Sequence, residues 1–268
     1  MRIAFSNIAW DPAEQAEILP VLQAARIAGI EIAPTKIWPA WVGATTAAAS
    51  QVAQSLAAQG FTIPSMQALL FGHPELKLFG GEPERVAFLK HIEDVAGIAA
   101  GLGAKTLVFG SPSNRDPGEL APDAAMQAAV TIMRAAGDIC AARGVWLGIE
   151  ANPAVYGCKF ITHWFEAAEL VRRCNNPGIR LHLDAACTVL AGDDLAQAVA
   201  ESIDILAHVH ISEPHLGAFD SPTLDHAAFG QALKKAGYSG WCSVEMRRAA
   251  DPLPAIRNAA VLARSYYG

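Results

Sequence analysis

The sequence predicts an α/β fold, a single-domain (β/α)8 barrel that spans residues 1–268. Eight short apolar runs alternate with longer amphipathic segments, the pattern of repeated strand and helix units around a closed parallel sheet. The length is typical of one such barrel. Apolar residues make up 52% of the chain and charged residues only 17%, which favours a compact body with a large core over a disordered or fibrous chain.

The apolar runs are the predicted strands, and the segments between them carry helix start and stop signals. The predicted strands cover residues 2–8, 29–33, 62–69, 105–109, 145–150, 179–184, 206–211 and 241–245. The clearest helices begin at Pro or Asp and end at Gly: Asp11-Pro12 to Gly29, Pro122 to Gly144, Asp225 to Gly237, and a last one from Asp251-Pro252. Residues 71–84 are expected to form an elaborated loop over the barrel mouth.

Charge and cysteine content exclude several classes of partner. The net charge of −6 and the absence of a Lys/Arg block predict no nucleic-acid partner, and no apolar run is long enough to predict a membrane span. Five scattered cysteines without a CxxC pair predict neither a disulfide framework nor a Cys-based zinc site. Together with an N-terminus that lacks a signal-peptide pattern, these features predict a cytoplasmic protein.

Four chelating side chains end the last four predicted strands: Glu150, Asp184, His210 and Glu245. They are separated by 34, 26 and 35 residues, each about one strand and helix unit. Neighbouring strands of one parallel barrel would therefore direct them into a common cavity at the carboxyl ends of the strands. Three carboxylates and an imidazole at such a place describe a site for a divalent metal ion.

The alternation of side chains along a strand supports this interpretation. Because residues two apart share a face, the polar residues that precede the four predicted ligands also point inward, and the apolar residues between point to the helices. The inward set is Gly148, His182, His208 and Ser243, and the outward set is Ile149, Leu183, Val209 and Val244. A buried parallel strand is usually apolar on both faces, so inward polar residues need a reason.

Each ligand residue taken alone could be a helix cap, an ion-pair partner or a satisfied core group. Taken together, three carboxylates in one cavity would repel one another unless a cation neutralised them. The residues therefore predict one divalent ion, and the oxygen-rich ligand set suits Mn²⁺, Mg²⁺ or Zn²⁺.

The strand endings IE, HLD, HVHIS and SVEM resemble the xylose-isomerase-like TIM barrel superfamily of sugar isomerases, epimerases and AP endonucleases, over essentially the whole chain. Within it, the ketose 3-epimerases hold a divalent ion with Glu, Asp, His and Glu at the ends of strands five to eight. The resemblance implies the same role for Glu150, Asp184, His210 and Glu245.

The chain departs from the ketose 3-epimerases at three positions at which those enzymes hold substrate. They carry Glu six residues after the first metal Glu, His three after the metal Asp and Arg six after the metal His, whereas this chain has Tyr156, Cys187 and Leu216. Glu213 does match the family pattern, and the resemblance implies that it binds a substrate hydroxyl or a metal-bound water. A carboxylate that only orders its loop is the alternative.

A metal in this cavity could hold two oxygens of a hydroxy-ketone and stabilise the metal-bound enediolate formed when the carbon beside the carbonyl loses its proton. Glu150 and Glu245 lie three strands apart, so one could abstract the proton and the other return it. The predicted activity is therefore a metal-dependent isomerase or epimerase acting on a carbohydrate. A metal-dependent lyase or dehydratase of a keto-sugar or inosose is the alternative, and an AP endonuclease is disfavoured by the acidic charge.

Further predicted substrate contacts lie in loops at the same end of the barrel: Gln67, Arg115, Tyr156, Cys187 and His215. Arg115 could bind an anionic group of the substrate, and a solvated loop arginine is the alternative. His226 follows a helix cap and is predicted to be structural. The sequence is compatible with a homo-oligomer but marks no surface for it.

Overall fold

The computed structural model describes residues 1–268 and contains eight parallel strands. The strands are β1 (Arg2–Ser6), β2 (Gly29–Glu31), β3 (Ser65–Met66), β4 (Thr106–Phe109), β5 (Trp146–Glu150), β6 (Ile179–Asp184), β7 (Leu206–Ser212) and β8 (Trp241–Glu245). The α-helices are α1 (Gln15–Ala24), α2 (Thr46–Ala58), α3 (Glu82–Leu102), α4 (Pro122–Ala142), α5 (Trp164–Cys174), α6 (Ala185–Leu190), α7 (Leu195–Ser202), α8 (His226–Lys235) and α9 (Pro252–Tyr267). None of these helices is both long and apolar enough to span a membrane.

The strands follow one another around a nearly closed barrel in the order β2, β1, β8, β7, β6, β5, β4, β3. The gap between β2 and β3 is narrowed by two isolated parallel bridges, which pair Gly29 with Thr62 and Ile32 with Met66. The predicted (β/α)8 architecture is confirmed. The carboxyl ends of all eight strands therefore meet at one face, where barrel enzymes build their sites.

The main differences from the prediction lie in the first half of the chain. Strand β3 is much shorter than residues 62–69 because Pro64 has no N–H to donate to a neighbouring strand. Helix α1 ends at Ala24, and Gly29 belongs to β2. The segment predicted as a loop already contains the start of α3 at Glu82. Strands β6 and β8 have the predicted bounds.

The two faces of the strands differ as the alternation predicts. Ile149, Leu183, Val209 and Val244 are buried in the apolar layer that joins the barrel to its helices. The inward face carries polar residues that pair across the strands, with His182 beside His208 and Asp184 beside His210. Burial of the apolar layer between the barrel and its helices supplies hydrophobic stabilisation. The inward face of the strands can therefore hold a polar cluster.

Backbone strain is concentrated at the barrel mouth. Seven of the nine non-glycine residues with positive φ lie in loops that follow the strands. Such conformations cost free energy and persist where the surrounding structure enforces them, often at functional sites. The seven are Ala40, Trp41, Ala68, Ser111, Ile161, His215 and Leu216.

Candidate metal centre

The four predicted ligands meet at the carboxyl ends of β5 to β8. The Nδ1 atom of His210 lies 3.2 Å from an Oε2 of Glu245, 3.7 Å from Oδ2 of Asp184 and 3.9 Å from Oε1 of Glu150. Glu150, Asp184 and His210 are buried, and Glu245 is partly exposed. Three carboxylates from separate strands thus surround one imidazole nitrogen.

His210 Nδ1 has no hydrogen-bond partner although it is buried. The other ring nitrogen, Nε2, lies 3.0 and 3.1 Å from the two carboxylate oxygens of Glu31 on the side away from the cavity. Buried polar atoms in proteins are nearly always paired, so an unpaired ring nitrogen facing carboxylate oxygens needs an explanation. The donor set fits a divalent cation, because the imidazole nitrogen and the three carboxylates that surround it are all ligand types that such ions bind.

Asp184 is fixed in place by the start of the helix that follows it. Its Oδ1 accepts the N–H of Cys187 at 2.6 Å, which caps helix α6, and its Oδ2 accepts the hydroxyl of Ser212 at 2.7 Å. The side chain therefore has one preferred orientation. Ordering of this kind favours metal binding because little conformational freedom remains to be lost.

The carboxylates influence each other's protonation strongly. Burial raises the pKa of Glu150 to about 8, and the nearby charges of Asp184 and Glu245 act in the same direction. Burial also disfavours the ionised form of Asp184, but hydrogen bonding and attraction to His210 lower its pKa below the usual value. For His210, burial is outweighed by the charges of Glu31 and Glu245, which raise its pKa well above the usual value. Crowding of the carboxylates therefore favours bound protons on Glu150 and His210, and a divalent cation could take the place of those protons.

Glu150 is held by a buried arginine. Asn152 donates from Nδ2 to Oε2 of Glu150 at 3.1 Å, and Arg115 donates from Nη1 to the Glu150 carbonyl at 2.7 Å and from Nη2 to the Asn152 Oδ1 at 2.9 Å. Arg115 is 1% exposed and reaches the Ile161 carbonyl and the Cys158 Sγ as well. The alternative that Arg115 is a solvated loop residue is therefore wrong. The predicted contact of Arg115 with substrate is corrected as well, because its Nη1 and Nη2 groups donate to Glu150 at the end of β5 and to the loop that follows β5.

A polar network lies directly beneath the candidate centre, and sequence analysis missed its central residue. Glu31 is fully buried in β2 and accepts hydrogen bonds from Ser65 and Gln67 as well as from the histidines of β7. Burial favours the protonated form, but His210 and His208 lower the pKa of Glu31 well below its usual value. A charged residue inside the apolar run IEIA was the available signal.

Gln67, a predicted substrate contact, belongs to this network instead. Its Nε2 donates to Ser6 Oγ at 2.7 Å and to Glu31 Oε1 at 3.0 Å, and the residue is buried. The amide N–H groups of Gln67 are therefore engaged inside the barrel, and its contact with substrate stays a prediction.

His182 occupies the layer between the network and the cavity. Both of its ring nitrogens are buried without a hydrogen-bond partner, and Nε2 lies 3.6 Å from Oε1 of Glu150. Burial and the neighbouring histidines lower the pKa of His182 well below its usual value, which keeps the ring neutral. His182, His208 and His210 form a second group with ring nitrogens within 4.8 Å of one another. In that group, His208 and His210 already lie at hydrogen-bonding distance from Glu31.

Three other predicted contacts lie around the cavity. The hydroxyl of Tyr156 accepts the backbone N–H of His215 at 2.7 Å, and the two rings meet edge to face at 5.5 Å. The Sγ of Cys187 lies 3.5 Å from Nδ2 of Asn152, and Cys187 is buried. The structure thus brings Tyr156 and His215 together at the barrel mouth and places Cys187 beside Asn152, which donates a hydrogen bond to Glu150.

Glu213 points away from this group. Its oxygens accept hydrogen bonds from the hydroxyl and N–H of Thr223, the N–H of Leu224 and Nε2 of His226. His226 is buried and also contacts the Tyr267 hydroxyl at 2.7 Å, as its predicted structural role requires. The predicted contact of Glu213 with substrate or a metal-bound water is corrected, because the carboxylate is occupied in ordering its own loop.

The fold and this arrangement define a (β/α)8 barrel with a cluster of carboxylate and imidazole ligands at the carboxyl ends of its last four strands. A family model for the xylose isomerase-like TIM barrel matches residues 21–265, and the chain belongs to that family.

Three similar proteins illustrate the relationship. The chain is 29% identical over 111 residues to L-ribulose 3-epimerase of Methylomonas sp., covering 41% of this chain and 38% of that protein. It is 42% identical over 67 residues to 3-dehydro-D-guloside 4-epimerase of Escherichia coli, covering 25% of this chain and 26% of that protein. The crystal structure of 3-keto-D-glucoside 4-epimerase from E. coli superposes with a TM-score of 0.80 at 22% identity, covering 99% of both chains. The sequence matches span well under half of the two relatives.

Proposed function

We propose that this protein is a divalent-metal-dependent isomerase or epimerase of a sugar or sugar derivative, with the ion held by Glu150, Asp184, His210 and Glu245. The observation that carries the proposal is the buried, unpartnered Nδ1 of His210 facing three carboxylate oxygens at 3.2 to 3.9 Å. Sugar epimerases among the relatives support the reaction class.

The ligand set suits a single ion. Oxygen ligands with one imidazole are compatible with Mn²⁺, Mg²⁺ and Zn²⁺. When bound, the ion supplies positive charge close to the oxygens of the substrate on which negative charge develops. Five free cysteines and the acidic composition suit a cytoplasmic enzyme of carbohydrate metabolism.

Glu150 and Glu245 are the proposed acid and base. They end strands on opposite sides of the His210 ring nitrogen, so each can reach a different face of a substrate in the cavity. One carboxylate removes the proton beside the carbonyl, which gives an enediolate, and the other delivers a proton to the opposite face. The configuration of that carbon is then inverted.

The proposed substrate is a keto derivative of a sugar, such as a 3-keto-glycoside, in preference to a free ketose. Two names among the matches from E. coli support this class, 3-dehydro-D-guloside 4-epimerase for a sequence relative and 3-keto-D-glucoside 4-epimerase for a solved structure. Tyr156, Cys187 and Leu216 support it as well, because ketose 3-epimerases carry Glu, His and Arg at the corresponding positions.

Isotope exchange tests the proposal. The protein loaded with Mn²⁺ is incubated in D₂O with the methyl glycoside of 3-keto-glucose, and in parallel with a free ketose and an inosose. The wild type should give an epimer that is heavier by one deuterium, and removal of the metal by a chelator should stop the exchange. Full activity after chelation would overturn the metal-dependent mechanism, and a product lighter by one water would identify the dehydratase alternative.

Two variants separate the roles of the side chains. Glu245→Gln should fold and lower the exchange rate by about two to four orders of magnitude, the usual contribution of a positioned acid or base. Glu213→Gln is the matched control, because Glu213 is a buried carboxylate outside the cluster. Undiminished exchange in Glu245→Gln would remove Glu245 from the proton transfer.

A further inference from the structure

The carboxylate of Glu31 is a buried anion at the centre of the barrel, beneath the candidate metal centre. It is 0% exposed and receives hydrogen bonds from four side chains on two other strands or their ends, β3 and β7. These are Ser65 Oγ at 2.6 Å, Gln67 Nε2 at 3.0 Å, His208 Nε2 at 3.0 Å and His210 Nε2 at 3.0 and 3.1 Å. A charge buried so deeply is retained only where its partners compensate the loss of hydration.

The contacts of the two histidines with Glu31 are not equivalent. His208 Nε2 also lies 3.1 Å from the hydroxyl of Ser65 and 3.0 Å from that of Ser243, so it keeps partners without Glu31. His210 Nε2 contacts only the two oxygens of Glu31. The orientation of the His210 ring therefore depends on Glu31, whereas that of His208 does not.

We infer that Glu31 is a positioning residue for His210: it accepts the Nε2 proton and so presents Nδ1, with its lone pair, to the proposed metal centre. A neutral imidazole has one donor nitrogen and one acceptor nitrogen, and the partner of the donor determines which is which. A carboxylate behind a histidine ligand also increases the basicity of the ligating nitrogen. The inference rests on the proposed function, because it assigns Glu31 a part in metal binding.

Ser65 and Gln67 complete the arrangement by fixing Glu31 itself. Ser65 donates to Oε2 and Gln67 donates to Oε1, so each carboxylate oxygen has a partner from the β3 segment in addition to the histidines. Ser65 and Gln67 lie at and just after β3, and Glu31 ends β2. The short strands β2 and β3, which are joined only by isolated bridges, thus supply the residues that support His210, a proposed metal ligand in β7.

Metal titration of Glu31→Gln tests the inference. The variant keeps the size of the side chain but removes the negative charge, and it should bind Zn²⁺ and Mn²⁺ about ten- to a hundredfold more weakly than the wild type by calorimetry, the usual effect of losing such a support. Glu213→Gln is the matched control: it also replaces a buried carboxylate that contacts a histidine Nε2, that of His226 at 2.8 Å, but it lies outside the cluster, so its metal affinity should stay within about twofold of wild type.

The ring protonation of His210 provides a readout that a merely structural role would not change. In the wild type loaded with Zn²⁺, nitrogen NMR of labelled histidine should show one proton on Nε2 of His210, protected from exchange with solvent. Glu31→Gln should lose that protection, and Glu213→Gln should retain it. The wild-type measurement stands even if Glu31→Gln does not fold.

The outcomes distinguish this inference from the proposed function. If the wild type binds the ions and Glu31→Gln shows the same affinity and the same His210 signals, the role of Glu31 is overturned and the metal centre is left intact. A proton on Nδ1 of His210 in the Zn²⁺-loaded wild type would overturn the role of Glu31 and would also remove His210 from the proposed ligand set. A wild type that binds neither ion would overturn both proposals.

Discussion

Gly110 lies so close to Glu150 that no other residue fits at its position without displacing the carboxylate. A Cβ atom on Gly110 would come within 2.1 Å of Oε2 of Glu150 and 3.0 Å of Oδ1 of Asn152. Gly110 directly follows β4, and Glu150 ends the neighbouring β5. The missing side chain therefore provides the space in which the proposed acid or base is held.

Gly110→Ala should impair the site more than the fold. The added methyl group must push Glu150 or Asn152 aside, and a displacement of about 1 Å at a reacting group can cost about a hundredfold in rate. Turnover and Mn²⁺ affinity should both fall while circular dichroism stays unchanged. Gly118→Ala is the control, because Gly118 has positive φ and open space around it, so that substitution adds backbone strain without a contact. Equal loss of turnover in the two variants would contradict the prediction.

Asp184→Asn should lower the metal content of the purified protein. The amide keeps an oxygen that can cap helix α6 but lacks the charge that a divalent ion needs, so the loss of affinity should exceed the roughly ten- to hundredfold effect of residues that support ligands. Elemental analysis measures the ions bound per chain. Asp194→Asn is the matched control, since Asp194 caps α7 outside the cluster. Unchanged metal content in Asp184→Asn would remove Asp184 from the ligand set.

Arg115→Lys should destabilise the protein and weaken the site together. Lysine cannot reproduce the fork that reaches Asn152 and the carbonyls of Glu150 and Ile161, and buried acceptors left unpaired cost about 1 to 3 kcal/mol each. We expect the free energy of unfolding to fall by about 2 to 4 kcal/mol, measured with urea.

Arg134→Lys serves as the control for that prediction. Arg134 donates to the carbonyls of Arg173 and Cys174 at the end of α5, outside the metal cluster. Arg134→Lys should lower the free energy of unfolding without changing metal affinity. Arg115→Lys should also weaken Mn²⁺ binding, because Asn152 loses the hydrogen bond from Arg115 that holds it in place. Normal Mn²⁺ affinity in Arg115→Lys would show that the β5 loop holds Glu150 without the arginine.

Glu213 should contribute to stability in a way that depends on pH. Burial favours its protonated form, but hydrogen bonds from Thr223 and His226 outweigh burial and lower its pKa below the usual 4.5. Its contribution is therefore complete above pH 4.5 and is lost as the pH falls through the lower pKa of the folded state. Glu213→Gln should lower the free energy of unfolding by about 2 kcal/mol near neutral pH.

Urea unfolding at several pH values checks this prediction. The difference between wild type and Glu213→Gln should shrink as the pH falls below 4.5 and through the lowered pKa of the folded state, because the wild-type carboxylate then becomes protonated. A difference that stays constant from neutral to acidic pH would mean that shape, and not charge, explains the role of Glu213.

The sequence by itself determined the barrel and the main residues of the candidate centre. Strand periodicity, helix end signals and the spacing of Glu150, Asp184, His210 and Glu245 are local or repetitive features, and the strand alternation predicts which side chains face inward. These features are sufficient because every strand of a parallel barrel ends at the same face. The structure accordingly brings the four residues together.

Only the tertiary structure decided what lies behind these residues. Glu31 meets His210 across 179 positions of the chain, and Arg115 meets the Glu150 carbonyl across 35, so no local pattern indicates either contact. The same holds for Gln67 and Glu213, which hydrogen-bond to Glu31 and His226 at 36 and 13 positions along the chain. Which hydrogen-bond partner a polar side chain finds depends on the packing of distant segments, and that information is absent from residue type and spacing.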